Sequence, residues 1–180
     1  MTRDTSASRF GAMPRFRTIL VDPPWDVPSQ HGRLGAVRHY PLMTIEQICA
    51  LRVDRLAADD AHLWQWVTNA AWREQVTVME AWGFSYRSCL TWIKPRLGLG
   101  RYLRNQTEHL LLGVRGKAPI RFHGQGSWLY APVQAHSHKP EEAYAVIERC
   151  SPGPYLELFA RRKRPGWDVW GNEVSCDVAL

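Results

Sequence analysis

Residues 18–25 read Thr18-Ile19-Leu20-Val21-Asp22-Pro23-Pro24-Trp25. The first four form a short apolar run of the kind found in parallel strands buried on both faces, and the two prolines forbid ladder pairing beyond Asp22. The strand therefore ends at a carboxylate. Downstream, a polar, Gly-containing loop over 27–41 leads to Thr44, which can cap a helix through Leu51 with Glu46 and Gln47 in its first turn. Ala61 to Val67 reads as a second buried strand, followed by a helix from Asn69, its N-cap, to Trp82, where Gly83 stops it. Phe84 to Ile93 and Glu108 to Val114 predict an antiparallel pair flanking a long basic loop. PEEAYAVIERC (140–150) is a helix with Pro at its start, acids in its first turn and Arg149 near its end, and YLELFA (155–160) is the next strand. Strands alternating with helices predict an open α/β sheet, in which ligands gather at the carboxyl ends of strands. Those ends carry Asp22 and Arg161.

Composition narrows the function. The chain has 180 residues, 45% hydrophobic and 22% charged, which suits one domain. Residues 1–16 lack apolar periodicity and are expected to be a flexible tail, with a single domain over 17–175 and a short C-terminal tail over 176–180. No apolar run long enough for a membrane span or a signal peptide occurs, so the expectation is a soluble, cytoplasmic protein without membrane contact. Four cysteines form no CxxC pair, and His136 with His138 is too sparse a pair for a metal site, so no metal is expected. Lys and Arg number 23 against 17 Asp and Glu, a net charge of +6, which favours a polyanionic partner. From Lys94 to Arg121 lie Lys94, Arg96, Arg101, Arg104, Arg115, Lys117 and Arg121, with Glu108 the only acid, and this clustering predicts one basic face. Gly98 and Gly100 in that stretch belong to no phosphate-binding fingerprint.

The strand ending also has chemical content. Each proline fixes its own φ and restricts the residue before it, so the Asp22 carboxylate and the following carbonyls form a stiff arc rich in acceptors. Such an arc suits an exocyclic amine, and Trp25 offers a flat face on which a base could stack. The same four residues also read as a strand closed by a Pro-Pro turn over a core Trp.

VDPPW after a short apolar strand resembles the catalytic motif of the MT-A70 family of adenine N6-methyltransferases. HYPLMTIEQICAL, DDAHLWQWVTNA, EAWGFSYRSCLTWIKP, TEHLLLGVRGKAP, SHKPEEAYAVIERCSPGPYLELFARR and GWDVWGNE are similar to that family's pattern in its order, covering Arg17 to Glu173. The resemblance implies a Rossmann-like methyltransferase fold with helices on both faces of the sheet. It implies methyl transfer from S-adenosylmethionine to the N6 amine of adenine in DNA or RNA, leaving S-adenosylhomocysteine, with the adenine flipped out or single-stranded. Asp22, Pro23, Pro24 and Trp25 would form the catalytic set. Asp22, Ser137, His138, Lys139, Arg161, Asn172 and Glu173 would hold the cofactor, and Trp25, Tyr40, Lys94, Arg101, Arg104 and Glu108 would face the substrate. Arg162, Lys163 and Arg164 have no such counterpart and are expected to be solvated or phosphate-facing. Two other readings stay open: an N4-cytosine methyltransferase, and a non-catalytic nucleic-acid-binding subunit. Without an appended recognition domain in view, sequence specificity is expected from the basic loops, a second copy or a partner subunit.

Overall fold

The structure is a computed structural model that describes residues 15–26, 41–69, 72–98, 100, 102–134 and 138–180. The elements are β1 (Phe16–Val21), α1 (Ile45–Cys49), α2 (Val53–Leu56), β2 (Ala57–Val67), α3 (Trp72–Ala81), β3 (Ser85–Ile93), β4 (Thr107–Arg115), β5 (Trp128–Tyr130), α4 (Glu141–Cys150), β6 (Tyr155–Leu158) and β7 (Trp167–Trp170). They build a seven-stranded sheet in the order β5-β3-β4-β2-β1-β6-β7. β1 pairs in parallel with β2 and β6, β6 with β7 and β3 with β5, while β4 is antiparallel to both β2 and β3. β4 alone therefore runs against the other six, and the antiparallel β3–β4 pair is the one expected from sequence.

β1, with Phe16 and the run Ile19–Val21 buried, lies inside the sheet because both its faces have cores to fill. Phe16, Ile19 and Val21 join α1, α2 and α3 residues such as Ile48, Leu56 and Met79 on one side, whereas Leu20 joins Trp64, Leu110 and the α4 residues Val146 and Ile147 on the other. Helices thus cover both faces. Thr44 accepts from the Gln47 N–H, and the Gln47 side chain accepts from the Thr44 N–H, completing a capping box at α1. Gly83 ends α3 at φ +81, a conformation other residues rarely adopt.

Several sequence expectations need correction. Asn69 does not cap α3: its amide is hydrogen-bonded to Thr107 and His109, and α3 begins at Trp72. β2 starts at Ala57, earlier than Ala61, through two exposed aspartates that broke the apolar pattern. The YLELFA strand stops at Leu158 because Phe159 turns the chain at φ 62. β5, β7 and the one-turn α2 were not anticipated. Within the C-terminal tail, the Asp177 carboxylate accepts from the Val169 N–H and pairs with Lys163, while Val178 and Leu180 pack on the core. No helix among the described residues is long and apolar enough to cross a membrane.

The basic stretch does not form one face. β4 carries it across the sheet, leaving Lys94, Arg96 and Arg104 at one edge and Arg115, Lys117 and Arg121 beyond the other, about 27 Å away at the usual strand rise. The Arg162 to Arg164 cluster is likewise paired: Arg162 and Arg164 with Glu141, Arg164 also with Glu148, and Lys163 with Asp177.

Candidate active site at the carboxyl edge of the sheet

The reversed β4 decides what meets at this edge. Its amino end, with Glu108, arrives where β1 and β3 finish, so Glu108 lies beside Asp22 after β1 and Lys94 after β3. Lys139 enters from the start of α4. The buried Pro140 caps that helix at φ −68 and restricts Lys139 before it to extended backbone, which orients the lysine toward the sheet edge.

The four side chains form one ion-pair chain. Lys139 Nζ lies 2.9 Å from Asp22 Oδ2 and 3.3 Å from Glu108 Oε2, and Lys94 Nζ lies 2.5 Å from Glu108 Oε1. Each ammonium also sits over an indole, Lys139 at 5.2 Å from the Trp66 centroid and Lys94 at 4.7 Å from that of Trp92. The two indoles contact edge to face at 6.2 Å. Burial disfavours the charged form of Lys139, but Asp22 and Glu108 outweigh it and push the ammonium's pKa above the usual lysine range. Burial would raise the Glu108 carboxyl, and Lys139 and Lys94 reverse that and hold it below the usual carboxylate range. The chain fixes Asp22 through one of its two oxygens.

The motif backbone is equally constrained. The Trp25 N–H donates to the Pro23 carbonyl at 2.9 Å, the Met43 N–H to the Pro24 carbonyl at 2.8 Å, and the Asp26 N–H to the Met43 carbonyl at 2.9 Å. Pro23 is buried, and its carbonyl keeps a second lone pair beyond the bond from Trp25. Trp25 differs from the stacking expectation. Its ring is 4% exposed within the core beneath α1, and its indole N–H donates to the Trp66 carbonyl at 3.3 Å. It clamps the loop to the end of β2 and presents no open face.

A cleft beside this chain is lined by Asp22, Trp66, His138, Lys139, Tyr144, Glu157, Phe159, Arg161 and Arg162. Glu157 is the residue that sequence reasoning missed. It stands on β6 in register with Leu20 of β1, and the Tyr144 hydroxyl donates to its Oε1 at 2.9 Å. Burial raises its carboxyl to about 7, against the opposing Tyr144 hydrogen bond, with the Asp22 charge adding to the rise and Arg164 opposing it. An acid in the otherwise apolar run YLELF was the available signal. At the far side, Arg161 Nε lies 3.7 Å from Glu173 Oε1 in the exposed turn after β7 that also holds Asn172.

Of the sequence-predicted residues, Asp22, His138, Lys139 and Arg161 line the cleft, Lys94 and Glu108 complete the ion-pair chain, and Glu173 reaches Arg161. Arg104 is exposed on the hairpin between β3 and β4. That hairpin closes through the Gly98 N–H to the Asn105 carbonyl, where a Cβ at Gly98 would lie 2.7 Å from the same oxygen, so the glycine serves chain packing. Tyr40, Arg101 and Ser137 lie outside the described residues. Among the described residues, no group of three or more His, Cys, Asp or Glu could hold a metal ion. Chemically, the cleft offers carboxylate acceptors for amine and hydroxyl groups and ammonium and guanidinium donors for a carboxylate, a set suited to a zwitterionic nucleoside-like molecule.

Residues 16–173 match the sequence profile of the family described as MT-A70. The chain is 30% identical over 190 residues to the type II methyltransferase M.MunI of Mycoplasma sp, covering 92% of this chain and 81% of that protein. It is 34% identical over 175 residues to the human N(6)-adenosine-methyltransferase catalytic subunit METTL3, and 34% identical over 173 residues to a Drosophila melanogaster N(6)-adenosine-methyltransferase MT-A70-like protein. Each of these two alignments covers 89% of this chain, which spans only 28% and 27% of the respective relatives.

Proposed function

The chain belongs to the MT-A70 family, and from that premise we propose that it transfers a methyl group from S-adenosylmethionine to the N6 amine of adenine in DNA or RNA. The observation that carries the proposal is Asp22, held at the end of β1 by Lys139 inside the family's motif. The N6 lone pair is delocalised into the ring, so the amine is a poor nucleophile that needs positioned acceptors. The Asp22 carboxylate and the remaining lone pair of the Pro23 carbonyl are suited to accept from its two N–H bonds, and the carboxylate is placed to take the proton released after transfer. Such positional and electrostatic effects are worth roughly 7 to 11 kcal/mol when reactants are well oriented.

The donor set fits the cofactor. Lys139 would pair with its carboxylate, Asp22 or Glu157 would accept from its ammonium, and Glu173 with Asn172 beside Arg161 would hold the ribose hydroxyls. When bound, S-adenosylmethionine supplies a methyl group on a sulfonium, already a good leaving group. The acceptor geometry would also serve the N4 amine of cytosine; the adenosine-methyltransferase names of the relatives favour adenine. Four free cysteines suit a reducing, cytoplasmic setting. Labelled methyl transfer to matched single-stranded and double-stranded DNA and RNA pools, followed by nucleoside mass spectrometry, tests the reading. Label in N6-methyladenosine or its deoxy form supports it and selects the polymer; label in N4-methylcytosine would replace it.

A further inference from the structure

β5 is the edge strand on the same side of the sheet as Lys94. Its central residue, Leu129, is buried with Trp92 on the α4 side, so Trp128 and Tyr130 project from the other face, level with Thr91 and Ile93. That face is covered further in, where α3 lies over β2 and β3. At β5 it is open: Trp128 is 61% and Tyr130 59% exposed. Two large aromatic rings this exposed on one short strand are unexplained by the core and by the active site.

Charge indicates what they meet. The segment 94–108, which joins β3 to β4 at this edge, carries four cations, Lys94, Arg96, Arg101 and Arg104, against a single acid, Glu108. That acid is already held between Lys94 and Lys139. Arg96 and Arg104 are exposed on this hairpin, just beyond the Ile93–Tyr130 register that ends the β3–β5 pairing. Aromatic faces beside exposed cations are the physical requirements of a surface that stacks bases and neutralises phosphates.

Spacing indicates the form of the nucleic acid. Residues i and i+2 of a strand lie roughly 6.8 Å apart, twice the ~3.4 Å rise of a stacked strand. Neighbouring bases must open to occupy both rings, which a duplex resists and a single strand allows. Tyr130 is in register with Ile93, immediately before Lys94, so the platform abuts the catalytic edge. β5 and β1 are four strand positions apart, about 19 Å at the usual inter-strand spacing, or roughly three nucleotides at the ring spacing.

We infer that Trp128 and Tyr130 form a stacking platform for single-stranded nucleic acid that holds the bases flanking the adenine presented to Asp22. The inference rests on the methyltransferase reading for the identity of the target base, though not for the binding itself.

The test uses the full-length chain and a short fluorescent oligothymidine strand bearing one central adenine, prepared as DNA and as RNA. Replacing both exposed rings (W128A with Y130A) should weaken binding about tenfold or more for the better polymer, the loss expected when base stacking is removed, while the W128F and Y130F pair restores most of it. Trimming the flanks to fewer than about three nucleotides on one side should erase the difference between wild type and the alanine variant. An unchanged Kd in the alanine variant overturns the platform, as does a change of oligomeric state in sedimentation, which would make the rings a protein contact. Methyl transfer is followed on the same strand. Transfer to adenine with an unchanged variant Kd refutes the platform alone, whereas loss of variant binding with no transfer by the wild type refutes the chemistry alone.

Discussion

Removing Lys139 should expose how far the active site is held together by charge. Lys139→Met keeps the apolar stem over Trp66 and deletes the ammonium that lies 2.9 Å from Asp22 and 3.3 Å from Glu108. Deleting one partner of a fully buried pair costs 3–5 kcal/mol. Here the Lys139, Asp22 and Glu108 side chains retain 17%, 32% and 26% exposure, and Glu108 keeps Lys94, which lowers the expected loss to about 2 to 3 kcal/mol. For a chain of this size that corresponds to a fall in Tm of roughly 5 to 10 °C. The sign with pH is fixed. The Glu108 carboxyl is held below its usual range in the fold, so its contribution exists above the unfolded carboxylate pKa and is lost as pH falls. The deficit of the variant should therefore shrink toward acid, as protonation of Glu108 removes the charge that Lys139 balances. Urea denaturation at several pH values, in a cycle with Asp22→Asn, is the assay. The double variant should cost less than the sum of the singles by about 1 to 3 kcal/mol. Additive losses, or a deficit independent of pH, would refute the ion-pair chain.

Glu157 should have the opposite pH signature. Its carboxyl is raised to about 7 in the fold, so its contribution is fully present below the unfolded value near 4.5 and declines as pH rises through 7. The stability difference between wild type and Glu157→Gln should shift by up to about 3 kcal/mol across that window in urea melts; a flat difference would remove the raised pKa. Trp25→Ala should cost about 3 to 5 kcal/mol as a core truncation, and Trp25→Phe should lower stability with little change in substrate KM. A stable Phe variant with a raised KM would return Trp25 to a stacking role.

The sequence disclosed the elements whose physical signals were strong and local. An apolar run stopped by two prolines could only be a buried strand ending at Asp22, and Thr44 with Gln47 announced α1 through its capping box. The α4 start at Pro140 was equally plain, and with it the position of Lys139. What stayed hidden depended on pairing. β5 is three residues long with two aromatics facing outward, and β7 alternates over four residues only, so neither shows a periodicity that stands apart from loop. The split of the basic stretch followed from β4 running across the sheet, which composition cannot register. The core position of Trp25 and the cleft position of Glu157 depend on what β2 and β6 place beside β1, which residue type does not carry. The ion-pair chain is the sharpest instance, since Asp22, Lys94, Glu108 and Lys139 are brought together only by the reversed β4 and the entry of α4.

The central claim is that the Asp22 carboxylate positions an adenine amine for methyl transfer. Single-turnover transfer to an adenine-bearing strand, with S-adenosylhomocysteine affinity measured by calorimetry on the same preparations, tests it most directly in wild type and Asp22→Asn. The account predicts N6-methyladenine from the wild type and a loss of at least about a hundredfold in the variant, the usual scale for one electrostatic contact to the reacting centre, while the variant still folds and binds the cofactor product. Undiminished transfer in Asp22→Asn would contradict it.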